Sequence, residues 1–157
     1  MSTEALFNSI QHSVIGSVLG KADPLVGALS QLIHITGLIL ILSAVVLVNL
    51  RLLGFGLKRQ SLPELVKTTT PQIWYGLALL VLSGLFIFIP SATIYLHNPA
   101  FWTKFVLLAV VLVIQFTLFR RVTSVEHPKR SVAIFTATTS LILWFGVAFA
   151  GRVIGYI

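Results

Sequence analysis

Residues 31–50 read QLIHITGLILILSAVVLVNL. Nearly everything in this run except His34 prefers oil to water. With the residues before it, the stretch Leu25–Leu50 is long enough to cross a hydrocarbon layer of about 30 Å, which takes roughly 20 helical residues. Ile73–Pro90, Phe101–Phe119 and Val132–Ala150 have the same character. Lipid offers the backbone no hydrogen-bond partner, so each stretch is expected to be a helix. Hydrophobic residues make up 57 % of the 157 and charged residues only 10 %, against about a quarter charged in ordinary soluble domains. The sequence predicts an all-α, integral membrane protein, a single domain over residues 1–157 whose first partner is the lipid bilayer.

The net charge of +7 would suit a nucleic-acid binder, but its placement points elsewhere. Arg51, Lys58, Arg59 and Lys67 follow the first span; Arg120, Arg121, Lys129 and Arg130 follow the third. Eight of the eleven basic residues thus fall in two loops on one side. By the positive-inside rule that side is cytoplasmic, and both termini face outward. No nucleic-acid partner is expected. The start, MSTEALFNSI, lacks the basic flank of a signal peptide. The absence of cysteine excludes disulfides and thiolate metal sites.

Outside the spans, Leu6, Phe7, Ile10, Val14 and Val18 recur at helical spacing. They predict one amphipathic helix over residues 3–19, lying on the outer membrane surface. Gly20 and Pro24 break it. In the inner loop, Ser61 and Glu64 have capping-box spacing with Pro63 in the first turn, predicting a second short helix that Pro71 ends. Asn98–Pro99 is a helix start before the third span. The short connections make sequential helices antiparallel neighbours, so a four-helix up-and-down bundle is expected. Gly76, Ser83, Gly84, Gly146, Ala150 and Gly151 mark places where helices approach closely.

The polar residues inside the spans are the candidate site. Steps of 100° put Gly27, Gln31, His34 and Asn49 on one stripe of the first helix. His34 lies about 13 Å below that helix's outer end, too deep to reach water. Its stripe is expected to face the bundle interior, since a lipid-facing imidazole would leave its nitrogens unpaired. Two readings stand: a neutral histidine hydrogen-bonded to another helix, or a metal or cofactor ligand. Lys104, near the outer start of the third span, and Arg152, ending the fourth, lie in the same leaflet. Only Glu4 and Asp23 among the four acids lie on that side. The three side chains are expected to converge inward, with Asp23, a lipid phosphate or a cofactor carboxylate between them. His97, on the outer loop, is the other histidine close enough to join His34; His12 and His127 are expected to be solvated.

Several chemistries fall away. Cu(I) transport wants thiolate or thioether ligands, yet Met1 is the sole methionine. No HExxH spacing occurs. No intramembrane carboxylate exists for a relay or dyad, and no catalytic residue is identified.

LIHITGLILILSAVVLVNLRLLGFG, NPAFWTKFVLL and WFGVAFAGRVIGYI resemble a group of small bacterial four-helix membrane proteins of unknown function. The resemblance spans nearly the whole chain and implies a bacterial inner-membrane bundle, without an activity. His34-x-x-Gly37 also resembles a motif of CopD-type copper-resistance proteins and b-type cytochrome subunits. That likeness implies haem b or a quinone as cofactor, with His34 as ligand and Lys104, Arg152, His97 and Gln31 around it. Where the resemblance leads one to expect a histidine closing the third span, this chain has Phe119 and Arg120.

Two functions from different classes follow. One is an accessory or scaffold protein whose polar cluster fixes helix packing and whose outer surface docks a periplasmic or membrane partner, or a second copy. The other is a redox-associated module holding haem b or a quinone at His34.

Overall fold

The computed structural model describes residues 2–56 and 59–156; Lys58, one of the inner-loop cations, lies outside them. The described residues are helical and contain no strand. Four long helical stretches are apolar enough to cross a membrane: Pro24–Leu53, Leu62–Leu96, Pro99–Thr123 and Arg130–Val153. Only 11–33 % of the residues in their most apolar windows are buried within the protein. Among the remainder, Leu25, Leu29, Val81, Val113, Phe135 and Phe149 are exposed, an outward apolar surface compatible with a surrounding bilayer.

The predicted single N-terminal helix is two. Helix α1 (Thr3–Gln11) stops at His12, and Ser13 caps α2 (Val14–Gly20) by accepting from the Gly16 N–H at 3.1 Å. Gly16 is required at this corner: a Cβ there would sit 2.1 Å from the Gln11 carbonyl oxygen. Nor does α1 lie free on a surface. Phe7 is buried against Phe88 and Trp102, with ring centroids 5.6 and 6.2 Å away. Gln11, assigned to the polar face, turns inward and accepts from Thr93 N–H and O–H at 2.9 and 2.6 Å.

Helix α3 (Pro24–Leu53) starts with Asp23 accepting from Leu25 N–H at 2.8 Å. It ends at Gly54, whose φ of 87° is the left-handed turn that glycine supplies without strain. Helix α4 runs unbroken from Leu62 to Phe88, so the separate inner-loop helix is not formed. Pro71 sits inside α4, and on the turn before it the Thr68, Thr69 and Thr70 hydroxyls bond back to the carbonyls of Leu65 and Val66 at 2.6–2.9 Å. Ser61 accepts from Glu64 N–H at 3.3 Å. Glu126 supplies a further cap from outside the helix, accepting from Leu62 N–H at 2.9 Å.

A 3-10 turn at Ile89–Ser91 and the short α5 (Ala92–Leu96) extend α4 outward. Asn98 then caps α6 (Pro99–Ile114), accepting from Ala100 and Phe101 N–H at 3.0 and 3.2 Å. A π-helical turn, Gln115–Phe119, leads into α7 (Arg120–Thr123), and α8 (Arg130–Val153) completes the chain.

Helix α3 packs along α4 on one side and α8 on the other, and α6 packs on α8. The tightest seam joins α3 to α4. A Cβ on Gly37 would meet Gly76 O at 2.7 Å, and one on Gly76 would meet Gly37 O at 2.6 Å. Backbone touches backbone there. A core of Ile41, Val45, Val111, Trp144 and Val147 fills the middle; Val48, Leu62, Leu65, Phe119 and Ala133 fill the Glu126 end. At that end Glu126 also pairs with Arg51 at 3.4 Å, so one carboxylate ties α3, α4 and the α7–α8 loop.

Gly37→Ala and Gly76→Ala are each expected to lower stability by about 1–3 kcal/mol through overpacking. Gly27→Ala, where a Cβ meets nothing within 4 Å, is expected to change little. Thermal unfolding in detergent, followed by tryptophan fluorescence, separates the two; equal effects at all three sites would refute the backbone contact.

Candidate functional site

The polar atoms inside the apolar layer gather at two levels. At the deeper one, Asn49 Nδ2 donates to Val45 O at 2.9 Å and to Ser140 Oγ at 3.1 Å, joining α3 to α8. Asn49 Oδ1 and Thr136 Oγ1 are buried beside this link without a partner of their own.

The second level, nearer the end of the bundle that carries α1 and α2, is centred on His34. Gly37, one turn along α3, sets the close approach to α4, and that approach brings the imidazole to Ser83. His34 Nδ1 lies 3.0 Å from Ser83 Oγ, and the ring edge rests on Gly84, where a Cβ would stand 3.4 Å from Cε1. From the far side, Lys104 of α6 places Nζ 3.3 Å from His34 Nε2. Its stem passes over Gly151 of α8: a Cβ there would lie 3.4–3.6 Å from Nζ, Cε and Cδ. All four long helices therefore shape one cluster.

Hydrogen-bond counting fixes its polarity. Ser83 Oγ is bonded to the Leu79 carbonyl, which can only accept, so the hydroxyl proton points there. Ser83 must then accept from His34, placing the imidazole proton on Nδ1 and leaving a lone pair on Nε2. An ammonium has donors and no acceptor, so Lys104 donates to that lone pair. The chain runs Lys104 to His34 to Ser83 to Leu79 O, each donor aimed the same way, with the imidazole neutral. Such an arrangement orients helices; with its hydroxyl proton committed to the backbone, Ser83 is not poised as a nucleophile.

The other expected members do not join. Arg152 is exposed, donating to the Tyr156 hydroxyl at 2.8 Å with its guanidinium over the same ring at 5.0 Å. A guanidinium at a helix end gains more from an aromatic face and water than from a second cation, which corrects the expected three-way convergence. Asp23 is spent on capping its own helix. Gln31 is exposed. His97 is exposed too, with Nδ1 3.3 Å from Thr93 O and Nε2 4.0 Å from Glu4 Oε1. Among the described residues, no carboxylate pairs with Lys104, and no three His, Cys, Asp or Glu side chains gather where they could hold a metal.

The residue set fits haem poorly. Both imidazole nitrogens of His34 are engaged, and His97 turns toward Glu4 of α1. A metal on Nε2 would have to displace an ammonium. Ser83, Gly84 and Gly151 were legible only as small residues for close packing, because nothing in their spacing says which polar group crosses to them.

The chain matches the family of unknown function DUF6644 over residues 6–157. It belongs to that family. No curated protein and no solved structure matches it, and nothing links this DUF6644 member to CopD-type proteins or cytochromes.

His34→Leu is expected to destabilise the protein by about 1–3 kcal/mol, since it strands the Lys104 donor and the Ser83 acceptor that the imidazole satisfied. Adding Lys104→Met to that variant is expected to cost less than it does alone, the mark of coupled partners. Strict additivity in a double-mutant cycle, measured by denaturant unfolding in micelles, would break the assigned chain.

Proposed function

We propose that this protein is a small multi-pass protein of the bacterial inner membrane. It is an up-and-down four-helix bundle with both termini periplasmic, and it serves as an accessory or scaffold subunit. One observation carries the reading: the most polar cluster within the apolar layer spends His34 and Ser83 on hydrogen bonds to the protein itself, the economy of a packing device. The charge asymmetry supports the orientation, with Arg59, Lys67, Arg120, Arg121 and Arg130 at one end. The outer layer of α1 and α2, which leaves Val14, Ile15 and Val18 exposed, is the surface that meets lipid headgroups and a periplasmic or membrane partner.

A second reading is favoured by Lys104 alone. Its ammonium has three donors and spends one on His34, leaving two for a carbonyl such as a quinone presents.

Two measurements test these readings. The chain has no cysteine, so single cysteines report cleanly. One at exposed His97 is expected to label from the periplasm of intact cells, and one at exposed Ser124 only after permeabilisation; the reverse pattern inverts the orientation. Organic extraction and visible spectra of the purified protein are expected to show neither stoichiometric quinone nor a Soret band. Quinone retained by the wild type and lost in Lys104→Met would replace the scaffold reading with the second one.

A further inference from the structure

Helix α4 packs on α3, and α6 on α8, but α4 and α6 scarcely meet along their lengths. At one end of the bundle Lys104 of α6 reaches instead to His34 of α3. Toward the opposite end the seam opens into a cavity of about 330 Å³, within the roughly 300–1,000 Å³ typical of small-molecule sites. Trp74 of α4 and Phe116 of the π turn face each other across its mouth, centroids 5.6 Å apart. Both are exposed on the apolar outer surface, at 52 % and 47 %.

The walls are apolar in effect. Thr69, Thr70 and Thr123 line the cavity, yet their hydroxyls bond to Leu65 O, Val66 O and Phe119 O on their own helices. Gln115 is held by Trp144 Nε1 at 3.4 Å. Arg120 is the sole charged residue of the lining; it is exposed and pairs with no carboxylate among the described residues. Arg121 follows it. The π turn adds a residue immediately before Arg120, and such turns often mark functional sites. An apolar slot open to the side, with a guanidinium at one end, has the dimensions and charge of an anionic amphiphile. An empty slot would forfeit the dispersion contacts of its walls, and in a bilayer the group at its mouth is an acyl chain.

We propose that this seam cavity holds one acyl chain of an anionic phospholipid, its phosphate bound by the Arg120 guanidinium, as an integral part of the folded protein. Arginine suits this role because its fork pairs with phosphate oxygens and sheds water readily. The proposal rests on the membrane reading above but not on its orientation.

Fluorescence of buried Trp144, which lines the cavity, tests it. With Trp74→Phe and Trp102→Phe, Trp144 is the only tryptophan. In mixed vesicles, dibrominated phosphatidylglycerol is expected to quench it at low mole fraction, and dibrominated phosphatidylcholine only at high. Native mass spectrometry is expected to show one retained phosphatidylglycerol. Arg120→Gln should lower its retention about tenfold, the loss of roughly one charged hydrogen bond. Ala44→Leu, filling the slot from α3, should abolish the preferential quenching. Equal quenching by both lipids, or a bound lipid indifferent to Arg120→Gln, overturns the proposal. If Ala44→Leu fails to fold, the Arg120→Gln arm decides alone, since that side chain is exposed. A variant carrying only the exposed Trp102 controls for the membrane reading: if neither lipid quenches it, the bilayer assignment itself has failed.

Discussion

The contact between Gly37 and Gly76 is the constraint on which the interior depends. Each glycine presents bare backbone to the other's carbonyl oxygen, so α3 and α4 approach more closely than side chains would permit. A serine hydroxyl reaches little beyond its own helix, and only at such separation can His34 Nδ1 meet Ser83 Oγ at 3.0 Å. In hydrocarbon the driving force between helices is packing and hydrogen bonding, not expulsion of water. The glycine contact and the histidine bond are therefore parts of one association.

Polar clasps stand at both ends of the bundle, and between them the seam of α4 and α6 is left open. At the end that carries α1 and α2, Lys104 reaches from α6, past Gly151, to His34. At the other end Glu126 holds Arg51 and the first N–H of α4 together. Neither clasp requires α4 and α6 to touch, and between the clasps lies the cavity fronted by Trp74 and Phe116. The polar groups thus spare the seam from having to close by apolar packing.

The helix stop at His12 shows how local chemistry overrides a periodic pattern. Leu6, Phe7, Ile10, Val14 and Val18 keep helical spacing across it, and spacing alone reads as one helix. Ser13 instead caps a new helix, and Gly16 tolerates an approach that a side chain would forbid. Pro71 errs in the opposite direction: a residue that normally ends helices is carried inside α4, with three threonines on the turn before it bonding back to the helix.

Composition and run length by themselves determined that the described residues are helical without strands, with four long helices apolar enough to cross a membrane. That follows because a backbone in lipid has no alternative to internal hydrogen bonds. The caps Asp23 and Asn98 were legible for the same kind of local reason, a side-chain oxygen placed next to unpaired N–H groups. His34 and Lys104 could be named as interior polar groups, since hydrocarbon makes any such group conspicuous. Their partners could not. Whether Lys104 meets His34 or a headgroup, whether Arg152 turns inward or onto Tyr156, and whether Ser83 faces a base all depend on helix rotation and separation. Those are set by contacts between residues some 50 to 90 positions apart, where a glycine opposite a glycine decides more than any motif within either helix.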